Sequence, residues 1–174
     1  MRIVAGRWRG RNIKAPVGDK VRPTSDRVRE AWMSIITADL PGARVLDLFA
    51  GSGALGLEAL SRGAESVDFV ESAAPSLAVL KANLETLGAG DAAVVHRADA
   101  LRFIAPLGAH AYDVAFADPP YKLGLAEQVA TRWLESPFAT LLGVEHFTYD
   151  RMPPGGETRK YGSTSITFYR AEER

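Results

Sequence analysis

Residues 45–60 constrain the fold more than any other stretch, because they have the pattern of a buried strand, a glycine-rich turn and a helix. The strand is apolar except for Asp47. Gly51 and Gly53 permit a positive φ and the close approach of a ligand to the backbone. Residues 54–60 are good helix formers, and the N–H groups at the start of a helix face whatever lies on the turn. The stretch therefore predicts a ligand-binding turn.

Two ligand classes fit this turn. The spacing Gly51-x-Gly53-x-x-Gly56, with Glu71 about twenty residues further on, matches the fingerprint of dinucleotide-binding proteins. Asp47 argues against a dinucleotide, because its carboxylate would repel a pyrophosphate. The same carboxylate suits S-adenosylmethionine, which carries a sulfonium and an ammonium but no phosphate. The turn favours S-adenosylmethionine, and NAD remains an alternative.

Strands and helices alternate along the chain. The apolar patterns predict strands over residues 66–71, 92–96, 112–117 and 140–147, and helices over 27–36, 54–61, 75–87 and 125–134, with a short helix after Asp99. Residues 159–161 and 164–169 predict an antiparallel hairpin. This alternation implies a parallel sheet covered on both faces. We therefore expect one α/β domain with a doubly wound, mostly parallel sheet.

Composition excludes several kinds of site. The chain of 174 residues has no cysteine, which excludes disulfides, Cys-ligated zinc and thiolate nucleophiles such as those of cytosine-C5 methylation. Its three histidines lack metal-ligand spacing, so we expect no metal site. No apolar run approaches the ~20 residues of a membrane span. The first seven residues lack the apolar core of a signal peptide. We therefore expect a cytoplasmic protein that does not contact a membrane.

Positive charge is concentrated at the N-terminus. Residues 1–30 carry a net charge of +6 and the remaining residues −6. Ile3-Val4-Ala5 and Asn12-Ile13-Lys14 predict a β-hairpin, which we place as a basic extension over residues 1–20, before a domain over 21–174. Arginine fits phosphate, and Trp8 either offers a face for a base or packs on the domain.

We therefore expect a polyanionic nucleic-acid partner. The candidate contacts are Arg7, Trp8, Arg9, Arg11, Lys14, Arg22, Thr24, Arg27 and Arg29. The last three arginines could instead form a solvated face, and Thr24 could cover the cofactor.

Four acidic residues fall at the predicted carboxyl ends of strands, where ligands gather in open α/β sheets: Asp47, Glu71, Asp99 and Asp118. Any one of them could simply cap a helix, but four in phase indicate a site. We expect Glu71 to accept two hydrogen bonds from a ribose diol and Asp99 to accept from an adenine amine. Asp47 is expected to face an ammonium.

Asp118-Pro119-Pro120-Tyr121 is the most specific chemical signal. The two prolines end the strand and have no N–H, so nearby carbonyls remain acceptors. A carboxylate and a carbonyl could together hold both hydrogens of an exocyclic amine, and Tyr121 could stack on the attached base. The alternative is a Pro-Pro turn capped by an aspartate.

At this point the chain resembles the Rossmann-type S-adenosylmethionine methyltransferases, and among them the bacterial 16S ribosomal RNA guanine-N2 methyltransferase family. The matching segments are residues 2–6, 22–30, 46–56, 69–71, 118–121, 144–146 and 160–162. The segment Arg22-Pro23-Thr24-Ser25-Asp26-Arg27-Val28-Arg29-Glu30 is the most specific of them. The chain departs from the family pattern at residues 135–139, which lack a glycine turn, and at residues 148–156, a short segment.

The resemblance implies a seven-stranded sheet with an antiparallel C-terminal hairpin. It also implies transfer of a methyl group from S-adenosylmethionine to the N2 amine of a guanine in 16S ribosomal RNA. Because one domain with one basic hairpin offers little surface for a specific RNA fold, we expect the substrate to be a small-subunit assembly intermediate, and we expect a monomer. The expected catalytic residues are Asp118, Pro119, Pro120 and Tyr121, and the expected cofactor contacts are Asp47, Phe49, Ala50, Gly51, Ser52, Gly53, Glu71, Ser72, Asp99, Ala100 and Asp118.

Three other functions stay open. One is methylation of another amine, such as adenine N6 in DNA or a protein glutamine. Another is a non-catalytic RNA-binding role in ribosome assembly. The third is NAD-dependent oxidoreduction.

Overall fold

A seven-stranded sheet forms the centre of the protein, in a computed structural model that describes residues 1–15, 26–121 and 123–172. Its strands are β1 (Arg44–Leu48), β2 (Ser66–Glu71), β3 (Ala93–Arg97), β4 (Tyr112–Ala117), β5 (Ala139–Phe147), β6 (Glu157–Tyr161) and β7 (Thr164–Arg170). Their order is β3-β2-β1-β4-β5-β7-β6. Strands β1 to β5 pair in parallel, and β7 is antiparallel to β5 and β6. The predicted fold class is confirmed.

Among the described residues, five α-helices connect or precede these strands: α1 (Asp26–Ile35), α2 (Ala54–Ser61), α3 (Ala74–Leu87), α4 (Ala100–Ile104) and α5 (Leu125–Glu135). Short 3-10 helices cover Thr37–Asp39 and Gly90–Ala92. The observed ends lie within one or two residues of the predicted ends, which is the usual uncertainty of a helix boundary. In the described part of the chain, no helix combines the length and the apolar character needed to cross a membrane.

Two hydrophobic clusters cover the two faces of the sheet. Phe116 of β4 packs edge-on against Trp32 of α1, with ring centroids 5.7 Å apart. The neighbouring Ala115 points to the opposite face and belongs to a second cluster with Ile104 and Trp133. Because helices bury both faces, the carboxyl ends of the strands remain as the edge where a ligand can bind.

The N-terminal hairpin (residues 1–15) packs on this domain. Its predicted strands are reduced to one antiparallel bridge between Arg2 and Asn12. Ile3, Trp8 and Ile13 are buried in the same cluster as α1, α2 and α3. The predicted boundary between residues 20 and 21 lies outside the described residues.

Buried polar groups on α2 hold the hairpin in place. The carboxylate of Glu58, which is 0% exposed, accepts hydrogen bonds from Val4 N at 2.8 Å and Ala5 N at 3.1 Å. The hydroxyl of Ser61 accepts from Trp8 N at 3.0 Å and donates to Ala5 O at 2.6 Å. Since these bonds satisfy the backbone of the hairpin, its position on α2 is well defined.

Candidate functional site

The glycine turn (residues 49–53) connects β1 to α2 at the carboxyl edge of the sheet. Three of its residues adopt a positive φ: Phe49 at 57°, Gly51 at 56° and Gly53 at 85°. The left-handed conformation costs a phenylalanine roughly 1–2 kcal/mol. A hydrogen bond from Ala50 N to Val70 O, at 3.0 Å, helps to hold the backbone there. Strain of this kind concentrates at ligand sites, and the sequence alone did not indicate it at Phe49.

Gly56 allows α2 to pack closely on the sheet. A Cβ at this position would lie 2.4 Å from Phe69 Cε1 and 2.9 Å from Asp47 Oδ2. Both distances are shorter than van der Waals contact. The third glycine of the pattern therefore serves helix–strand packing, one of the roles it has in dinucleotide-binding folds.

Asp47 lies beneath the turn rather than at its surface. It is 1% exposed, and its Oδ2 accepts a hydrogen bond from Gly56 N, in the first turn of α2, at 3.0 Å. The expectation that the N–H groups of α2 face a ligand is therefore wrong for Gly56. A protein carboxylate already occupies the position that a phosphate would take, which disfavours a pyrophosphate ligand.

The acidic residues of the site raise the pKa of Asp47 through their charge. Burial raises the pKa of Asp47 well above its usual range, and the hydrogen bond from Gly56 opposes this rise. The charges of Asp118 and Glu71 raise the pKa of Asp47 further. Because Asp118 and Glu71 act on Asp47 as like charges, a cation bound near these two residues would oppose their effect on the pKa of Asp47.

Glu71 fastens the backbone around the site. Its Oε1 accepts from Gly51 N at 2.8 Å, and its Oε2 accepts from Ser72 N at 2.9 Å and Ala73 N at 2.8 Å. The predicted ribose acceptor thus joins the glycine turn to the start of α3. A carboxylate has about four acceptor positions, so there is room for one further donor and not for the two expected from a ribose diol.

Asp99 is an exposed helix cap. Its Oδ2 accepts from Arg102 N at 3.0 Å and caps α4. For this residue the capping alternative describes the structure, and its contact with an adenine amine stays a prediction.

The segment Asp118-Pro119-Pro120-Tyr121 begins where β4 ends, and its last three residues line a cleft of about 170 Å³. The same cleft is bounded by Glu145 of β5 and by the first turn of α5. A cavity of about 150 Å³ can already hold one benzene ring. The cleft is therefore large enough to admit part of an aromatic base.

The Tyr121 side chain is oriented by two polar contacts. Its hydroxyl lies 3.2 Å from Thr164 Oγ1 and donates to Glu145 Oε2 at 3.4 Å. Burial raises the pKa of Tyr121 to about 12, so the phenol is uncharged at neutral pH. A neutral ring with a fixed hydroxyl suits the predicted role of holding the plane of a base.

Sequence reasoning missed the aromatic stack (Tyr121, Phe147 and Tyr149). The rings of Tyr121 and Phe147 have centroids 4.1 Å apart, and Phe147 stacks on Tyr149 at 5.1 Å with an interplanar angle of 10°. Phe147 ends β5 and Tyr149 lies just after it, whereas Tyr121 follows β4, so no local spacing could connect the rings.

His146 is buried next to this stack and bonds to the backbone of Phe147. It is 2% exposed, and its Nδ1 lies 2.7 Å from Phe147 O. A carbonyl only accepts, so Nδ1 carries the proton and Nε2 accepts from the Thr167 hydroxyl at 2.6 Å. Burial lowers the pKa of His146, which keeps the ring neutral. The residue, whose role the sequence left open, therefore positions the backbone of Phe147.

The predicted RNA contacts are only partly available. Arg7, Arg9, Arg11 and Lys14 of the N-terminal hairpin and Arg27 of α1 are exposed. Arg22 and Thr24 lie outside the described residues.

Two of the predicted contacts are wrong. Trp8 is 8% exposed, and the Arg7 guanidinium lies 4.2 Å above its ring, so no face is free for a base. Arg29 is 1% exposed, donates to Arg2 O at 2.7 Å and lies 4.0 Å from Glu58. Both side chains instead attach the N-terminal hairpin to the domain.

Asn83 links the hairpin to the glycine turn. It is 1% exposed, and its Oδ1 accepts from Lys14 N at 2.7 Å. Its Nδ2 donates to Lys14 O at 3.0 Å and to Ser52 O at 2.9 Å. In the sequence, the only sign of this role was an asparagine beside the apolar stripe of α3. The residue places the basic hairpin and the predicted cofactor turn in one hydrogen-bonded unit.

Among residues 1–15, 26–121 and 123–172, no three His, Cys, Asp or Glu side chains converge in a way that could hold a metal ion.

Comparisons with known proteins agree with this architecture. A family model described as conserved hypothetical protein 95 matches residues 1–170. The Ribosomal RNA small subunit methyltransferase D of Escherichia coli K12 is 44% identical over 128 residues, which cover 74% of this chain and 64% of that relative. The protein of the same name from Haemophilus influenzae is 40% identical, over 78% of this chain and 72% of its own.

A solved structure has the same fold over the whole chain. It is an Escherichia coli protein described provisionally as a methyltransferase, with a TM-score of 0.85 and 34% identity over 100% of this chain and 99% of its own.

Proposed function

The chain belongs to the family described as conserved hypothetical protein 95, and on that membership and the geometry of its site we propose that it transfers a methyl group from S-adenosylmethionine to the N2 amine of a guanine in 16S ribosomal RNA. The observation that carries the proposal is the position of Asp118-Pro119-Pro120-Tyr121. The segment follows β4, which lies next to β1 where the strand order reverses, and ligands of open α/β sheets bind at such a switch point.

The cofactor would lie over the glycine turn. Its sulfonium and ammonium are positively charged, and Asp47, Glu71 and Asp118 are acidic. The three residues are close enough for the charges of Glu71 and Asp118 to raise the pKa of Asp47. The proposed contacts are Phe49, Ala50, Gly51, Ser52, Gly53, Ser72, Asp99 and Ala100 together with those three acids. When bound, the cofactor supplies an electrophilic methyl group on a sulfonium.

The acceptor amine would be held by Asp118 and Pro119. The Asp118 carboxylate and the Pro119 carbonyl each accept one N–H, which orients the nitrogen lone pair away from the ring system and towards the methyl group. The nitrogen–carbon bond forms as the sulfur–carbon bond breaks, and a proton leaves the amine for Asp118 or water. Alignment of this kind supplies about 7–11 kcal/mol of rate acceleration, so no strong base is needed.

Tyr121 would fix the plane of the base together with Pro120. Because Phe147 already contacts the Tyr121 ring at 4.1 Å, the base uses the opposite side of Tyr121 or displaces Phe147. A base inside a helix cannot reach the cleft, so the guanine is flipped out or lies in a loop.

The RNA backbone would contact the exposed cations of the N-terminal hairpin and Arg27. Arg22 and Thr24 complete the proposed surface, while Trp8 and Arg29 are withdrawn from it. We take the substrate to be a small-subunit assembly intermediate and the enzyme to act as a monomer. The first statement rests on the small surface that one domain with one basic hairpin offers to a specific RNA fold.

The test uses small-subunit particles from a bacterium that lacks its own enzyme of this kind. With saturating S-adenosylmethionine, Asp118→Ala is expected to lower the methyl-transfer rate by about 10²–10³, as loss of a preorganised polar contact does. Asp91→Asn, an exposed carboxylate in a 3-10 helix, serves as the control. Normal turnover by Asp118→Ala with cofactor bound would refute the mechanism.

Nucleoside analysis of the product separates this function from its rivals. N2-methylguanosine supports the proposal, and N6-methyladenosine would replace it with adenine methylation. No label in any particle would favour a non-catalytic binding role. Calorimetry with NAD tests the oxidoreductase alternative. The carboxylate of Asp47 disfavours it, because this group of β1 already accepts from Gly56 N in the first turn of α2.

A further inference from the structure

Tyr149 is exposed although it belongs to the aromatic stack. Its side chain is 77% exposed, and it is the one aromatic residue among the large exposed hydrophobic side chains of the described residues. One face of its ring is covered by Phe147, whose ring is nearly parallel at 10°. Singly exposed hydrophobic side chains are common on proteins, so the exposure matters here because Tyr149 directly precedes Asp150 and Arg151, which line the cleft.

We propose that Tyr149 is a stacking platform for the nucleotide next to the methylated base. The proposal rests on the function proposed above, because it takes RNA as the partner. Base–aromatic stacking tolerates every base, so the platform would add affinity without requiring a particular neighbour.

The loop that carries Tyr149 is fixed by its own hydrogen bonds. Asp150 N donates to Phe147 O, and Phe147 N donates to Asp150 Oδ2, each at 3.0 Å. On the other side, Thr148 N donates to Ser163 O and Thr148 Oγ1 donates to Gly162 O, each at 2.8 Å. A ring whose backbone is held on both sides loses little conformational entropy when a ligand stacks on it.

The residues around the ring suit a nucleotide. Arg151 follows in the chain, is exposed and lines the same cleft as Tyr121. Its guanidinium would bind the phosphate between the two nucleotides, as arginine does through its planar fork. The one carboxylate of the loop, Asp150, is engaged by Phe147 N. The platform therefore combines an aromatic face with a cation, the usual pair of groups in single-strand RNA recognition.

The stack also separates the two nucleotides. Tyr121 lies at the cleft and Tyr149 at the solvent end, with Phe147 between them. A base in the cleft and a base on Tyr149 could not remain stacked on each other. Holding the neighbour apart would stabilise the flipped-out state of the target base, whose unstacking costs a few kcal/mol.

The first experiment measures methyl transfer to small-subunit particles. Tyr149→Ala is expected to lower kcat/KM about 5- to 140-fold, the equivalent of one lost stacking contact, mainly through KM. Tyr149→Phe and Tyr149→Trp should retain most of the activity, and cofactor affinity should not change in any variant. Leu134→Ala, which removes a 43%-exposed apolar side chain near the end of α5, is the control.

The second experiment reports stacking directly. The tryptophans at 8, 32 and 133 are buried, so in Tyr149→Trp acrylamide quenches mainly the introduced indole. Stripped 16S ribosomal RNA should protect this indole from acrylamide, as measured by fluorescence. Bound RNA that gives no protection, or unchanged kcat/KM in Tyr149→Ala, overturns the platform.

The two proposals fail in different ways. If the wild-type protein methylates no particle, the proposed function fails and the platform with it, and protection of the indole would then show only that RNA stacks on Tyr149. If the wild-type protein is active and Tyr149→Ala is equally active, only the platform fails.

Discussion

The Glu58→Ala substitution should destabilise the whole domain, because one buried carboxylate anchors the N-terminal hairpin. Glu58 accepts hydrogen bonds from Val4 N, Ala5 N and Arg62 Nε at 2.8, 3.1 and 3.1 Å. Its loss leaves two backbone N–H groups unpaired, at about 1–3 kcal/mol each. It also removes a counter-charge 4.0 Å from the buried Arg29. These losses overlap, so we expect a decrease of about 3–5 kcal/mol in the free energy of unfolding.

Urea unfolding followed by circular dichroism measures this decrease. Glu85→Ala, which removes an exposed carboxylate from α3, is the matched control and should change stability by no more than about 0.5 kcal/mol. Glu58→Gln keeps one acceptor oxygen and should lose less than Glu58→Ala. Trypsin should cleave the exposed Arg9 and Arg11 faster in Glu58→Ala. A loss below about 1 kcal/mol, with unchanged proteolysis, would refute the anchoring role, since an anchored buried carboxylate cannot be removed at so small a cost.

Two further predictions concern the charges of the site and of the hairpin. Because burial raises the pKa of Asp47, the folded protein retains a proton that the unfolded chain has lost, and stability decreases as pH rises from the usual carboxyl pKa to the raised one. Asp47→Asn keeps an acceptor for Gly56 N but lacks this decrease. The stability of Asp47→Asn relative to the wild type should therefore rise with pH in urea titrations, and parallel pH profiles of the two proteins would contradict this. Calorimetry should show weaker binding of S-adenosylmethionine by Asp47→Asn. Replacing Arg7, Arg9 and Arg11 by glutamine should weaken binding of 16S ribosomal RNA and flatten its salt dependence in filter-binding assays, because fewer counterions are released. Weaker cofactor binding in that variant, rather than weaker RNA binding, would argue against the assignment.

Local sequence patterns were sufficient to predict the strands and helices that surround the site. The predicted bounds of β2 and β4 agree with the structure because buried parallel strands are short apolar runs ended by turn residues. Gly88, at a φ of 64°, ends α3 as its position after the last leucine predicts. Asp118 could be placed at the end of a strand because Pro119, the next residue, cannot continue β4.

Local patterns were insufficient wherever a side chain had a choice between solvent and a distant partner. Trp8 and Arg29 both lie in a basic segment typical of a nucleic-acid contact, but each is buried against the domain. Asp47 illustrates the same limit, because its bond to Gly56 depends on the packing of α2 against β1.

By itself, the sequence determined the alternating strands and helices, the glycine turn and the acids at the strand ends, because each depends on neighbours within a few residues. Only the tertiary structure decided that Asn83 joins Lys14 to Ser52 and that Tyr149 extends the stack of Tyr121 to solvent. These contacts join separate elements, and their partners are selected by the packing of the whole chain. The residues of the candidate site can therefore be read along the chain, while the surface that we propose for RNA exists only in the fold.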